Sequence, residues 1–425
     1  MIKYKTINDN KISIFKNVLI NNGIATAYYV LYPYNYEVMD LKSSENHINK
    51  IYNNISNLYS SFGELRISIF KLINIVSKQT IIDNIVNTIK MYKKDYNDLP
   101  NEFKKYIKDI SRDFSILAVN IELKNSIDLE SQSIVSVMKE MFDTFVKTNF
   151  STNIVEIDED AIASQNQRIK NILNRCAVPA NEKLVMNIYL NSVFPSYNLV
   201  YNDFSLNHSV PILNAIKQEI IPHFGWFEMS NSGIEILGGE PQTTYGSILT
   251  ILEFPEAIQS ENFNIALPGL CVNMHLLPKD KAILKFKRMR ADIDEEQEEV
   301  ESVNAKDSDI DDQAQGVQLA LDQLRAGRIV TEVDAKILVL ANSKEELDLK
   351  KKHIISVLSD INIVCSISQN QSKTFVDSFI KHRPQEFYHL MDLQYALSFQ
   401  LDSGVLMGDQ DSNFSSLPIG NGIRR

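Results

Sequence analysis

A nucleotide-hydrolysis site requires a glycine-rich loop that ends in Gly-Lys-Ser or Gly-Lys-Thr. The glycines admit the phosphates and the lysine offsets their charge. No Gly-Lys dipeptide occurs in the 425 residues. The nearest glycine cluster runs from Gly238 to Gly246, carries Glu240 and lacks lysine, so it predicts a hairpin turn. The sequence therefore contains no Walker-type ATPase site.

The seven histidines never stand at the HxxxH or HExxH spacing that places two ligands on one zinc ion. We therefore predict no metal site, no cofactor site and no catalytic residue. His275 alternates with apolar residues and is expected to be half-buried and hydrogen-bonded. An enzyme whose site is assembled from distant residues is an alternative, with His208, His223, Glu240 and His275 as its first candidates.

Two short motifs match known sites only in part. Asp307 to Asp311 imitate the start of a calcium-binding EF loop, but the required glycine and glutamate are replaced by Asp312 and Gln318. This segment therefore predicts a solvated acidic loop. Ser136 and Lys139 have SxxK spacing without its partner motifs, and are expected on the surface of an amphipathic helix.

The net charge of −11 is concentrated in one segment. The segment from Ala291 to Asp312 contains eleven acidic residues and a single basic one, Lys306. It therefore carries a net charge of −10, and the rest of the chain about −1. The chain therefore has no global basic field for gripping nucleic acid, and we predict no direct nucleic-acid site. A run of basic residues, from Lys279 to Arg290, comes directly before the acidic one.

The basic and acidic runs predict a pair of charged helices, about Lys279 to Val303 and about Asp311 to Arg325. Such helices are usually solvated, and the alternative is a docking surface for a charged partner. The residues proposed for docking are Lys281, Lys285, Lys287, Arg288, Arg290, Glu295, Glu296, Glu298 and Glu299.

Composition places the chain among globular proteins, with 44% apolar and 23% charged residues. The length favours two or three domains. No stretch approaches the roughly 18 apolar residues that span a bilayer, and the start lacks the apolar core of a secretory signal. Three cysteines far apart fit a reducing compartment, so a cytoplasmic location is expected.

The first 150 residues predict an N-terminal α+β domain. Apolar residues from Ile48 to Phe62 step by three and four as on a helical face, and Leu65 to Ile73 alternate as in a strand. Ile24–Val38 and Phe114–Leu123 are two further predicted strands. Residues 151–225 predict a helical connecting section, with the domain boundary at 195–225.

Residues 226–425 predict a second α+β domain with its own sheet and an acidic helical insertion at 279–325. A hairpin of Ile234–Leu237 and Tyr245–Phe254 precedes a strand at Leu270–Leu277. Thr331–Ala341 alternates between apolar residues and Glu332, Asp334 and Lys336. Ser343 and Glu346 form a capping box, and Ile361–Ile367 is the last predicted strand. The β-α-β units indicate a ferredoxin-like arrangement.

Residues 319–404 carry a more specific pattern. A helix ending in glycine, Leu321–Gly327, is followed by a strand and by a helix led by Glu346 and Leu347. A short strand, a glutamine (Gln369 or Gln371) and a hydrophobic segment that reaches Leu417 and Pro418 come next. This order resembles the N-terminal region of the conjugative-transfer ATPases of type IV secretion systems. None of these motifs is catalytic, so no active-site residue is carried over.

The resemblance implies a docking and oligomerisation region that couples a motor to the membrane channel during DNA transfer. It implies self-association, scaffold subunits of a secretion channel as partners, and peripheral membrane association through those partners at the inner face of the cell membrane. ATP and magnesium would belong to a motor domain following Arg425. The alternative is a free-standing structural or assembly protein of a phage or mobile element, without a motor.

Overall fold

The structure is a computed structural model that describes residues 5–6, 12–21, 24–32, 34, 40–71, 115–121, 156–157, 159–193, 226–229, 234–237, 244–255, 269–302, 308–341, 343–380, 382 and 388–402. It contains helices and a large antiparallel sheet, which confirms the predicted α+β class. No helix in these ranges combines the length and the apolar character that a membrane span needs.

Fifteen strands are formed by the described residues. They are β1 Lys5–Thr6, β2 Ile12–Phe15, β3 Val18–Asn21, β4 Ile24–Leu31, β5 Leu65–Lys71, β6 Ser115–Ile121, β7 Glu156–Ile157, β8 Ala177–Pro179, β9 Trp226–Met229, β10 Ile234–Leu237, β11 Thr244–Glu253, β12 Leu270–Leu276, β13 Val330–Ala341, β14 Val364–Ile367 and β15 His389–Asp392.

The helices of the described part are α1 Leu41–Phe62, α2 Glu159–Leu173, α3 Glu182–Val193, α4 Lys279–Ser302, α5 Ser308–Arg325, α6 Lys344–Ser359, α7 Gln371–Phe375 and α8 Leu393–Leu397. A π-helical turn, Val376–Ile380, continues α7.

The first half of the chain forms a ferredoxin-like unit. Its elements follow one another as β4-α1-β5-β6-α2-β8, and the strands lie side by side in the order β8-β4-β6-β5. All of these pairings are antiparallel. The hairpin of β2 and β3 extends the sheet beside β4. The sequence predicted an α+β domain in this half, but it did not predict the order of the strands in the sheet.

The second half repeats the same plan. Its strands lie in the order β14-β11-β13-β12, with α6 between β13 and β14, and the hairpin of β9 and β10 beside β11. The ferredoxin-like arrangement predicted for this half is therefore present. The segment between β11 and β12, where such a unit has its first helix, lies outside the described residues. Helices α4 and α5 are inserted between β12 and β13.

The two halves meet edge to edge, with β5 paired to β12. In this pairing, which we call the seam, Ile67 lies opposite Met274 and Ser68 opposite Asn273. The strand order on either side of the seam is the same, so the halves are related by an approximate two-fold axis. The two separate sheets predicted from the sequence are therefore one sheet.

One face of this sheet is apolar and covered by helices. The buried residues of β5, β12 and β13, among them Ile67, Val272 and Ile337, share one cluster with residues of α1, α2, α6 and α8. This explains the predicted face of α1, whose residues Ile51, Ile55 and Leu58 are buried there. The Ser343–Glu346 cap is also confirmed, since the Ser343 hydroxyl accepts from Glu346 N at 3.1 Å.

Helices α4 and α5 form an antiparallel pair, which we call the charged hairpin. It has its own apolar core, which includes Phe286 and Ile293 of α4 and Val317 and Leu321 of α5. This core explains why two helices with so much charge remain together. The EF-like segment of the sequence is not a loop, because α5 begins at Ser308.

The last described segment, residues 388–402, runs from the second half to the first. Strand β15 pairs with β13, and Gln394 in α8 donates to Asn49 of α1 at 3.0 Å. Ser115 of β6 donates to the carbonyl of Leu401, and Asp402 contacts Nε2 of His47 at 2.5 Å. This segment therefore ties the halves together on the helix-covered face.

Several sequence predictions need correction. Ile361–Ile367 is not the last strand, because β15 follows, and β8 interrupts the predicted helical section. The strand predicted at Ile24–Val38 ends at Leu31. The boundary at 195–225, Ser136, Lys139 and residues 238–243 of the glycine cluster lie outside the described residues, while Gly246 lies in β11.

The seam predicts energetic coupling between the halves. Ile67 and Met274 are 1% and 0% exposed, so Ile67→Ala and Met274→Ala should each cost about 2–5 kcal/mol of unfolding free energy. Because the two side chains share a cross-strand site, the double variant should depart from additivity by about 0.5–3 kcal/mol. Denaturant unfolding of the four proteins measures this coupling. A control cycle of Ile67→Ala with Leu358→Ala, a buried residue of α6, should be additive; additivity in both cycles would contradict a structural seam.

Candidate functional site

Five charged side chains form a continuous network at the base of the charged hairpin, beside the seam. Nε2 of His275 lies 2.7 Å from Glu64, and Nδ1 lies 2.9 Å from Glu332. Glu64 also contacts Lys281 at 2.5 Å, and Glu332 contacts Lys285. We call this network the charge clamp, because it connects the first half, two strands of the second half and α4.

Strand register places the centre of the charge clamp. His275 of β12 lies opposite Glu332 of β13 on one side and opposite Arg66 of β5 on the other. Cross-strand neighbours point to the same face of a sheet, which brings the imidazole next to the carboxylate of Glu332. Glu64 stands one residue before β5, so its side chain reaches the same imidazole from the first half.

The central ring of the charge clamp has a carboxylate at each of its two nitrogens. Both nitrogens of His275 face carboxylate oxygens, and ionised carboxylates can only accept hydrogen bonds. The ring of His275 therefore bridges the two carboxylates, one at each of its nitrogens. The two carboxylates lie on opposite sides of the ring, so they do not converge on one cation. The charge clamp is consequently a structural connection, not a metal centre or an acid–base pair.

The pKa values of the flanking groups support this interpretation. Burial by itself raises the pKa of Glu332, but hydrogen bonds and charges from His275 and Lys285 outweigh burial and hold it below its ordinary value. The pKa of Glu64 is lowered in the same way by Lys281 and His275. Lys285 has a raised pKa despite partial burial, because it contacts Glu332 and lies 4.0 Å from the centre of the Tyr388 ring.

The basic residues predicted for docking divide into two groups. Lys281 and Lys285 belong to the charge clamp, and Arg290 contacts Asp294 at 2.8 Å and donates to the carbonyl of Ala314. The two lysines connect the hairpin to the sheet, whereas Arg290 connects the two helices of the hairpin. Lys287 and Arg288 are exposed. Most of the predicted basic surface therefore serves contacts within the protein.

The acidic residues predicted for docking lie farther along α4 and are exposed. Glu295, Glu296 and Glu298 face solvent, as do Asp292 and Asp294. Glu299 is also in α4, and its side chain lies outside the described residues. We call this part of α4, residues 292–298, the acidic end. The charged hairpin thus has a base of ion-paired lysines and an outer part of one charge sign.

A second polar cluster, which no sequence motif indicated, lies buried on the sheet face opposite the main apolar core. Lys336 contacts Asp334 at 2.5 Å, and both side chains are 1% exposed. Ser68 donates to Asn273 at 2.5 Å across the seam. We call this cluster the polar layer; α7, the π-helical turn and His382 cover it. The only sequence pattern that indicated the polar layer was the alternation of Glu332, Asp334 and Lys336 with apolar residues. This pattern fits an exposed strand face as well as a buried one.

The ring of His382 closes the polar layer. It stacks on Phe70 with 4.9 Å between ring centres, and its Nε2 lies 3.2 Å from the hydroxyl of Tyr28. Burial lowers the pKa of His382 to about 4, although the backbone of Ser378 opposes this shift. Burial raises the pKa of Tyr28, so this hydroxyl keeps its proton beside the neutral ring.

The cysteine of the polar layer is not activated as a nucleophile. Nδ2 of Asn273 is buried without a hydrogen-bond partner among the described residues, at a cost of about 1–3 kcal/mol. Burial raises the pKa of the Cys271 thiol well above its ordinary value, so the thiolate needed for nucleophilic attack is not formed. The layer fixes how the strands of the two halves meet.

The enzyme alternative gains no site from the described residues. His275 is held in the charge clamp, while His208, His223 and Glu240 lie outside the described residues. The cysteines Cys176, Cys271 and Cys365 are free and buried. In the described part of the chain no group of three or more His, Cys, Asp or Glu side chains is arranged to hold a metal ion.

The chain matches no protein-family model and no curated protein sequence.

The charge clamp predicts a pH dependence of stability. Because the folded-state pKa values of Glu64 and Glu332 lie below the ordinary 4.5, the clamp contributes stability above about pH 4.5. This contribution is lost as the pH falls through the folded-state values.

The matched variant is Glu332→Gln, which should cost about 1–3 kcal/mol at neutral pH because it removes charged hydrogen bonds. Urea unfolding between about pH 3 and pH 7 compares this variant with the wild type. The difference in unfolding free energy should shrink as the pH falls, and a difference that stays constant would mean that the ionised carboxylate is not stabilised by the clamp.

Proposed function

We propose that this chain is a docking and assembly region of a conjugative-transfer ATPase of type IV secretion, and that the charged hairpin is the element that binds a scaffold subunit of the channel. One observation carries the docking role: the basic residues at the base of the hairpin are ion-paired to the sheet, whereas the acidic end is exposed. The choice of family rests on the resemblance of residues 319–404.

The fixed position of the charged hairpin supports the docking role. The charged hairpin has its own buried core, and the charge clamp fixes its base to both halves of the sheet. An element that is already ordered loses little conformational entropy when it binds. A solvated helical pair with no partner would have no need of such an anchor.

The charge of the acidic end indicates the chemistry of the partner. Five carboxylates are exposed between Asp292 and Glu298, and no basic residue lies among them. Such a surface attracts a protein rich in lysine and arginine and speeds the encounter at low salt. It repels nucleic-acid phosphates and anionic lipid headgroups alike. Membrane association would therefore pass through a basic protein partner.

A charge-reversal triple variant tests the docking role. Glu295→Lys, Glu296→Lys and Glu298→Lys should weaken binding to the partner scaffold subunit by at least about tenfold, because close interfacial charges couple by more than about 1.4 kcal/mol. Biolayer interferometry with purified scaffold subunits of a type IV secretion channel, at low and high salt, gives the affinities. High salt should reduce the difference between wild type and variant.

The control has the same change in net charge at scattered positions. Glu45→Lys, Asp160→Lys and Glu345→Lys replace exposed carboxylates of α1, α2 and α6. This control should bind like the wild type. Equal weakening by both triple variants would indicate a general charge effect, and an unchanged affinity of the acidic-end variant would refute hairpin docking.

A further inference from the structure

Strand β14 forms the outer edge of the second half, and no described element pairs with its outer side. Residues 361–372, which contain β14, include no charged residue and no proline. Val364 and Ile367 of β14 are 45% and 47% exposed. Sheet edges in soluble proteins are usually guarded by charge, proline or a covering element, because their free backbone groups invite another strand. The sequence of β14 therefore contains neither a charged residue nor a proline that would disfavour pairing with another strand.

The hydrogen bonds of β14 show which of its backbone groups point outward. Ser368 donates to the carbonyl of Ile248, and Ser366 lies opposite Thr250 in the same register. Alternate residues of an antiparallel strand bond to opposite sides, so Ser366 and Ser368 bond to β11. Cys365 and Ile367 therefore direct their N–H and C=O groups away from the sheet. In the described part of the chain β14 pairs with β11 alone.

The first half provides an internal comparison, because β8 occupies the place of β14 there. Tyr32 donates to the carbonyl of Cys176, and Ala180 donates to the carbonyl of Tyr28, so the backbone of Pro179 faces outward. Proline has no N–H, which removes a donor from this edge. Two units with the same fold thus differ at the same edge. Strand β8 lacks a backbone donor at Pro179, whereas the outward backbone groups of β14 can pair with another strand; we call this the open edge.

Exposed apolar side chains also distinguish the halves. Of the nine large apolar residues that are exposed among the described ones, eight belong to the second half and one, Leu41, to the first. Leu252, at the irregularity in β11 opposite β14, and Val357, near the end of the helix that leads into β14, are among the eight. Exposed apolar side chains therefore occur in both elements that adjoin β14.

We propose that β14 pairs with β14 of a second copy of this chain, in an antiparallel two-fold dimer that continues the sheet across two molecules. A two-fold axis at Ser366 places Cys365 opposite Ile367 of the partner subunit, and the outward groups of both strands then form four backbone hydrogen bonds. The strand is complementary to itself in this register, and its lack of charge removes repulsion between copies that each carry −11.

Two further observations select a second copy in this arrangement. The molecule already joins two units of this fold through antiparallel edge strands about a two-fold axis, at the seam. A head-to-tail chain of copies would need β14 to pair with β8, and Pro179 blocks that edge. The assembly is therefore closed and isologous. It is independent of the charged hairpin, which stays free to dock another protein.

Disulfide cross-linking tests the register directly. Ser366 would face Ser366 of the partner subunit in a pair without hydrogen bonds, where Cβ atoms are about 4.5–5.5 Å apart. The variant Ser366→Cys, in a Cys365→Ala background, should form a covalent dimer under mild oxidation with copper phenanthroline. The matched control Leu349→Cys, in the same background, places a thiol at a 68% exposed site on α6, and should stay monomeric on non-reducing gels.

Sedimentation velocity over a concentration series tests the association itself. The wild type should dimerise. Val364→Lys or Ile367→Lys should weaken the dimer by at least about tenfold, because a lysine on an edge strand disfavours pairing with another strand. Leu319→Lys, at a 61% exposed site on α5, should dimerise like the wild type. Circular dichroism confirms that each variant is folded.

The outcomes separate this proposal from hairpin docking. The acidic-end triple variant should keep the dimer, and the edge variants should keep their affinity for the scaffold subunit. A monomeric wild type at all concentrations, edge variants that dimerise normally, or equal cross-linking at residues 366 and 349 would each overturn the β14 dimer.

Discussion

The pairing of β5 with β12 is the constraint on which the rest of this structure depends. It turns two ferredoxin-like units into one sheet and brings together residues that are about 200 positions apart in the chain. Its register sets Ser68 against Asn273 and Arg66 against His275, so both the polar layer and the charge clamp follow from it. A shift of one residue would move every side chain of β12 to the opposite face.

The two halves share a plan and differ in what is added to it. The second half carries the charged hairpin, the open edge at β14 and most of the exposed apolar residues. The first half has a proline at the matching edge and contributes Glu64 to the charge clamp. The segment at 388–402 binds to both. Both surfaces proposed to meet other proteins therefore lie in the second half.

Local patterns made much of the fold predictable from sequence. The alternation of β13, the apolar stripe of α1 and the capping box before α6 all depend on neighbours within one element, and all three are confirmed. Strands β8 and β15 were missed because three or four residues are too few for a periodic signal. The seam could not be predicted, since no local pattern specifies which two edge strands pair.

The same distinction applies to the candidate site. The charged helices were predicted from composition, but the ion pairs that distinguish an anchored base from an exposed acidic end were not. Glu64 and His275 are separated by 211 positions, so only the folded sheet brings them together. Asp334 and Lys336 resembled an exposed face because alternation does not show whether a second layer covers the polar side.

Hydrogen–deuterium exchange of the unmodified full chain tests the seam most directly. If the halves are one cooperative body, the amides of β5 and β12 should exchange at the same slow rate, set by global unfolding. They should also lose protection together as denaturant is added. If the amides of β5 exchange much faster than those of β12, or the reverse, the halves open independently and the seam does not unite them into one folding unit.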